Sequence, residues 1–386
     1  MKLRTLQALR GVAVLLVVIA HISASYGVED RYIAGPRLTR WMHLPATLAV
    51  DLFFVISGVV ITLTARPTSS TSGAWRQFLY RRVTRIYPLY WLVTALILIV
   101  LLVRPDLVNA HSSHRPQVVP SFLILPQPGD PLVGVGWTLV YELYFYAIFT
   151  CALALGRRRL PWVLGAWAAA TVAAHLLLAP THQPYLVVAT NLMNLEFVFG
   201  VAVAYRLTRR PTTRPWWLMG GAGAALVGVL GYLTATRATS FSSPWFQVFA
   251  LGVMIAVLLY AVTALDLAGR VRAPRGLVRV GDASYSIYLW HIPILTTCGL
   301  ILATVPLRSR IAHILLLLLV SVVPVGAGIW LYDRLERPML RFFHTRMFDT
   351  PVAADRRAVI PASTRSSTRG AAAAPERPTA AHGGRS

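Results

Sequence analysis

The sequence predicts an all-α, polytopic membrane protein with about ten transmembrane helices and both termini cytoplasmic, and three observations carry that expectation. Of its 386 residues 56% are hydrophobic and only 13% charged, and its mean hydropathy of +0.60 is far too apolar for an ordinary soluble domain. The apolar residues gather in repeated runs near the roughly 20 residues that a helix needs to cross the bilayer core. The basic residues are divided very unevenly among the segments between those runs.

In chain order the runs fall at about 6–25, 45–65, 85–103, 135–155, 160–179, 186–205, 216–235, 245–265, 284–303 and 311–332. The first has no small-residue cleavage site before Tyr26 and is followed by further runs of the same kind, so it reads as a retained span and not as a signal peptide. Most connections are short. The exception, about 104–134, is rich in Pro, His and Ser, and its length predicts a structured or acceptor-facing loop.

Charge sets the expected orientation. With the N-terminus inside, the inner segments hold 29 of the 37 basic residues and the outer loops 8. The net charge of +23 is then mainly a topology signal and a counterpart to anionic lipid. Nucleic acid is not an expected partner, because the basic residues flank spanning helices and form no soluble patch. The expected organisation is a transmembrane domain over 1–346 and a disordered basic cytoplasmic tail over 347–386, whose composition turns to Ala, Pro, Arg, Ser, Thr and Gly. Cys151 and Cys298 both lie in apolar runs, which predicts packing and neither a disulfide nor a metal site.

Chemistry in such a chain must come from polar residues inside the spans. Arg10 and His21 share a stripe of the first helix, eleven residues and about 16 Å apart. Only three of the fourteen acidic residues fall well inside the spans, namely Asp51, Glu142 and Glu196. By residue counting, His21, Asp51 and Glu142 all fall in the outer half, as a shared polar cavity would require. In that cavity a carboxylate would orient or charge the histidine. Glu196 reads as a structural hydrogen-bonding group. At the inner face, Arg81, Arg82 and Arg85 flank the start of the third span beside Tyr87 and offer either lipid anchoring or a phosphate-binding patch. The ninth span opens GDASYSIYLWH, crowding Ser284, Tyr285, Ser286, Tyr288 and His291 into two turns. Asp282 reads there as a helix N-cap, which excludes a hydrolase nucleophile block.

Six stretches in order resemble the membrane-bound acyltransferases of the acyltransferase-3 type. LQALRGVAVLLVVIAH is similar to the opening signature, with Arg10 and His21 at its arginine and histidine positions, and VDLFFVISGVVIT carries Asp51, Phe54, Ser57 and Gly58. FLYRRVTRIYPLYW, WTLVYELYFY, SYSIYLWH and LERP resemble the later blocks. One departure is Gln7, where many relatives carry Asp.

The resemblance implies transfer of an acyl group, usually acetyl from acyl-CoA as co-substrate, to a hydroxyl of a sugar, surface polysaccharide or glycosylated natural product. It implies a multi-pass protein of the bacterial inner membrane with no bound cofactor. On this reading His21 is the base, with Glu142 or Asp51 holding its ring, and direct attack and an acyl-histidine intermediate both stay open. Arg10, Arg81, Arg82, Arg85 and Tyr87 bind the donor, while Ser57, Trp137, Tyr146, Ser284, Tyr288 and His291 line the polar cavity. The alternative from another class is a proton-coupled transporter, whose signature would be paired repeats with helices broken at matching positions. A glycan-binding scaffold is a third reading.

Overall fold

The computed structural model describes residues 3–23, 32, 46–65, 73–109, 114–209, 214–236, 243–303 and 310–348. Among the described residues ten helical stretches are long and apolar enough to span a membrane, and no strand occurs. The first three are α1 (Arg4–Ser23), α2 (Ala46–Thr64) and α3 (Ala74–Val103). After them come a short α4 (Val118–Leu123), then α5 (Trp137–Ala154) and α6 (Leu160–Leu178). The sequence continues with α7 (Pro184–Thr190), α8 (Asn194–Arg209) and α9 (Pro215–Thr236). A π-helical turn, Phe246–Gly252, leads into α10 (Val253–Leu267), and α11 (Arg275–Asp282) precedes α12 (Ser284–Leu302). Last, α13 (Arg310–Leu331) passes through a π-helical turn, Tyr332–Glu336, into α14 (Arg337–Phe348). The tail expected over 347–386 lies, beyond Phe348, outside the described residues.

Three boundaries depart from the sequence reading. Helix α3 starts at Ala74 and not near 85, so Arg81, Arg82 and Arg85 sit two to three turns inside it. Arginines lower the apolar signal without interrupting the backbone ladder, since their propensity for helix is high. The sixth span is two helices, α7 and α8, separated at Asn191, whose backbone is extended. Side chains satisfy the groups freed by the break: Asn191 Oδ1 accepts from Met193 N at 2.9 Å, and Asn194 Nδ2 donates to the Val188 carbonyl at 2.7 Å. The tenth span does not end near 332 but continues through the π turn, which carries Glu336 into the protein at 1% exposure. Asp282 is likewise no N-cap, because it ends α11 and Ala283 occupies the cap of α12.

Small residues fix the closest helix pairs. The α2–α8 and α1–α11 contacts are the most extensive in the chain, and each rests on facing glycines. A Cβ on Gly58 would overlap the Phe197 carbonyl and one on Gly200 the Val55 carbonyl; Gly11 and Gly281 stand in the same relation to Leu277 and Gln7. Backbones therefore touch, as small-residue interfaces allow in membranes. Gly58→Ala should lower stability by about 1–3 kcal/mol through overpacking. Thermal unfolding in detergent would show it against Gly228→Ala on α9, where an added Cβ meets nothing within 4 Å and a gain of about 0.4–1 kcal/mol is expected.

The described parts of the 104–134 segment, 104–109 and 114–134, are structured, one of the two outcomes its length allowed. The second of them folds back along one stripe of α3, where Tyr87, Tyr90 and Trp91 donate to the carbonyls of Leu123, Ser121 and Phe122 at 3.0, 2.9 and 2.9 Å. Buried Ser121 ties the segment together, donating to Gln117 O at 2.6 Å and accepting from Gln127 Nε2 at 3.1 Å and Leu132 N at 3.0 Å. Backbone without regular structure at this depth is stable only when protein covers it, and these bonds supply its partners.

Candidate active site

The stripe of α1 separates its two polar ends. Arg10 lines a narrow cavity of about 80 Å³ together with Ser57 of α2, Arg85 of α3, Glu142 and Tyr146 of α5, and Ser284, Tyr285 and Tyr288 of α12. On α2 the lining residues Val50, Phe53, Phe54 and Ser57 follow helical spacing, so a single face of that helix forms the wall. Within the cavity Glu142 accepts a hydrogen bond from Tyr146 Oη and another from Ser57 Oγ at 3.3 Å. Thr138 Oγ1 and Tyr288 Oη are 2.6 Å apart, and Tyr288 also donates to the Val135 carbonyl at 2.7 Å.

Arg85 is the second cation of the cavity. Its Nη1 lies 3.7 Å from Glu336 Oε1, and its guanidinium faces the Tyr285 ring at 6.0 Å. Glu336 is held from its other oxygen by Ser286, whose backbone N and Oγ donate at 3.1 and 2.6 Å. Arg82 points elsewhere: it donates to Thr64 Oγ1 at 2.7 Å and stacks near Phe78 and Tyr146 at 5.4 and 5.7 Å.

His21 occupies a different neighbourhood. Its Nδ1 is 2.8 Å from the Val17 carbonyl, and its ring meets the edge of His291 with centroids 4.9 Å apart. The Nδ1 of His291 is 2.6 Å from the Tyr288 carbonyl, while its buried Nε2 has no hydrogen-bond partner among the described residues. A carbonyl can only accept, so in the neutral rings both histidines carry their proton on Nδ1 and present Nε2 as a lone pair. Tyr288 connects the two neighbourhoods, because it lines the cavity and its ring centroid lies 5.8 Å from that of His291.

A family model described as an acyltransferase domain matches residues 3–332 of this chain. The chain belongs to the acyltransferase-3 family. It is 32% identical over 312 residues to the exopolysaccharide production protein ExoZ of Rhizobium meliloti, covering 76% of this chain and 89% of that protein. It is 30% identical over 328 residues to the acyltransferase MdmB of Streptomyces mycarofaciens, covering 76% and 79%. The peptidoglycan O-acetyltransferase OatA of Listeria monocytogenes is 24% identical over 333 residues, 76% of this chain and 49% of that longer protein. No solved structure matches.

In this acyltransferase all six blocks singled out in the sequence converge on one place. Arg10, Ser57, Arg85, Glu142 and Ser284 come from the first five blocks and line the cavity, and Glu336 of LERP holds Arg85. The expected union of His21 with Asp51 and Glu142 is not formed among the described residues. Asp51 Oδ1 accepts from Gln247 Nε2 at 3.0 Å, with Glu196 beside it, and both acids are fully buried. Asp51 is turned about 100° from Val50, off the stripe that faces the cavity. Glu142 lies in the cavity of Arg10 and not beside His21, so residue counting from span ends did not give its neighbours. Tyr87 also departs from the donor group, since its hydroxyl is engaged by Leu123 O of the folded-back segment. Sequence reading left Glu336 and Thr138 without a role. Glu336 was masked by the basic run after it, while its place in a block ending in Pro338 was the available signal.

Proposed function

We propose that the chain transfers an acyl group, acetyl in the simplest case, from acyl-CoA to a hydroxyl of a sugar, surface polysaccharide or glycosylated natural product. The observation that carries this reading is the convergence of Arg10, Arg85 and Glu142 in a single narrow cavity that Tyr288 joins to the His21–His291 pair. Two arginines suit the phosphates and carbonyl groups of a thioester donor. His21, with Nδ1 engaged and Nε2 available, takes the proton of the attacking hydroxyl. The hydroxyl oxygen bonds to the acyl carbon, the carbon–sulfur bond breaks, and the CoA thiolate departs and is reprotonated. Attack first by His21 Nε2, giving an acyl-histidine that the hydroxyl then resolves, balances equally well.

The glycan acceptor is supported by the relatives' names, which concern exopolysaccharide production and peptidoglycan O-acetylation. Purified protein given radiolabelled acetyl-CoA and a panel of glycan acceptors should move label to the acceptor. Label retained on CoA across the panel would leave a transporter or a glycan-binding scaffold.

The donor assignment makes a separate prediction. Arg85→Gln should raise the donor KM about ten-fold or more, since a charge-assisted contact contributes about 1.5–3 kcal/mol, with little change in acceptor KM. Arg82→Gln should act less, because Arg82 is committed to Thr64. Equal donor KM in wild type and Arg85→Gln would move the phosphates elsewhere. For orientation, the basic imbalance predicts that cysteines at Arg115 and Arg158, in a background lacking Cys151 and Cys298, label from opposite sides of the membrane, Arg115 from outside. Labelling of both by an impermeant reagent from one side would contradict the ten-span order.

A further inference from the structure

A second and much larger cavity, about 620 Å³, opens at the end of the bundle that carries the 104–134 segment. Its walls are the 125–131 stretch, the first turns of α5, the 181–184 connection and α7. The volume falls within the range of about 300–1,000 Å³ typical of small-molecule sites. None of its lining residues is Lys or Arg, so it holds no permanent cation for the phosphates of a CoA donor. The arginines face the other cavity instead.

The lining chemistry is that of a neutral, hydroxyl-rich ring. Trp137 and Tyr141 line it with their rings at right angles, centroids 6.0 Å apart, Tyr141 buried and Trp137 partly exposed. Asp130 and His182 stand exposed on the lining with no protein hydrogen-bond partner for their side chains among the described residues. Flat apolar faces flanked by a strong acceptor and a donor or acceptor are what a pyranose offers its C–H face and its hydroxyls to. The two cavities share one wall. Trp137, Val140 and Tyr141 of α5 face the large cavity, and Thr138, Leu139 and Glu142 of the same two turns face the narrow one. A helix is about 10 Å across with its side chains, so the two spaces stand back to back.

We propose that the large cavity is the acceptor subsite and takes a neutral pyranose unit of the acceptor, stacked on Trp137 and hydrogen-bonded by Asp130 and His182. This rests on the acyl-transfer reading and assigns it a second substrate site. Binding is read apart from catalysis by saturation-transfer NMR on the full chain, without acyl-CoA, in a detergent lacking a sugar head group. The probes are neutral trisaccharides of glucose, of galactose and of N-acetylglucosamine. At least one should receive saturation from the wild-type protein. The affinity for it should fall about ten-fold or more in Asp130→Asn, as loss of a charged acceptor implies. It should fall also in Trp137→Ala and recover in Trp137→Phe, with helicity unchanged throughout. His21→Ala should bind it as the wild type does. No saturation with any probe, or full binding in both Asp130→Asn and Trp137→Ala, would overturn the subsite. Intact binding without acyl transfer to any acceptor would instead overturn the catalytic reading and leave the subsite standing.

Discussion

His21→Ala should lower turnover by about 10²–10⁴ while leaving expression, helicity and donor KM near wild type. Loss of a general base typically has that magnitude. The donor KM should hold because the arginines assigned to the donor, Arg10 and Arg85, line a cavity that His21 does not. The fold should survive because the side chain makes one local bond, to Val17 within its own helix, and one ring contact with His291. Single-turnover rates with purified variants would decide the matter. A folded His21→Ala protein with near-normal turnover would return the histidine to packing and shift the search for a base to His291 or Glu142.

The second large effect is on stability. Glu336→Ala should destabilise the protein by about 1–3 kcal/mol, because it takes the acceptor from two buried donors of Ser286 and the nearby carboxylate from the half-buried Arg85. Glu336 is 1% exposed, and its loss would leave Arg85 without its carboxylate and Ser286 without an acceptor for two donors. Glu336→Gln should fall between, because an amide oxygen still accepts from Ser286 but brings no charge to Arg85. Denaturation followed in mild detergent measures both variants. Wild-type stability in Glu336→Ala would mean that water or lipid head groups reach Arg85 freely.

The ten spans were legible because continuous apolar runs reflect the solvent, and the solvent sets helix length. What stayed hidden depends on rotation and neighbours. Asp51 and Ser57 lie on the same helix at readable depths, yet only packing tells that Ser57 faces the cavity and Asp51 faces Gln247. The break at Asn191 carries neither glycine nor proline, so no local signal announces it; it is held open by Tyr141, whose hydroxyl accepts from Asn191 Nδ2 at 3.0 Å. Arg85 was read as lying at a helix start because charge depresses hydropathy, although the helix begins eleven residues earlier. The candidate site was thus legible as a set of residue types in order, and its pairing was not.

The length of α3 has a consequence for how the two substrates would meet. Thirty residues at 1.5 Å make about 45 Å, against a hydrocarbon layer of about 30 Å. Tilting accommodates part of such an excess, and the remainder projects. The far end, ALILIVLLV, is wholly apolar, whereas the first turns carry Arg76, Arg81, Arg82 and Arg85, so it is the arginine end that stands among the lipid head groups. On the proposed reading, a polyanionic donor docking there would keep its phosphates in the aqueous interface throughout the reaction. Only the uncharged thioester arm would then have to enter the low-dielectric interior, sparing the protein the cost of burying phosphate.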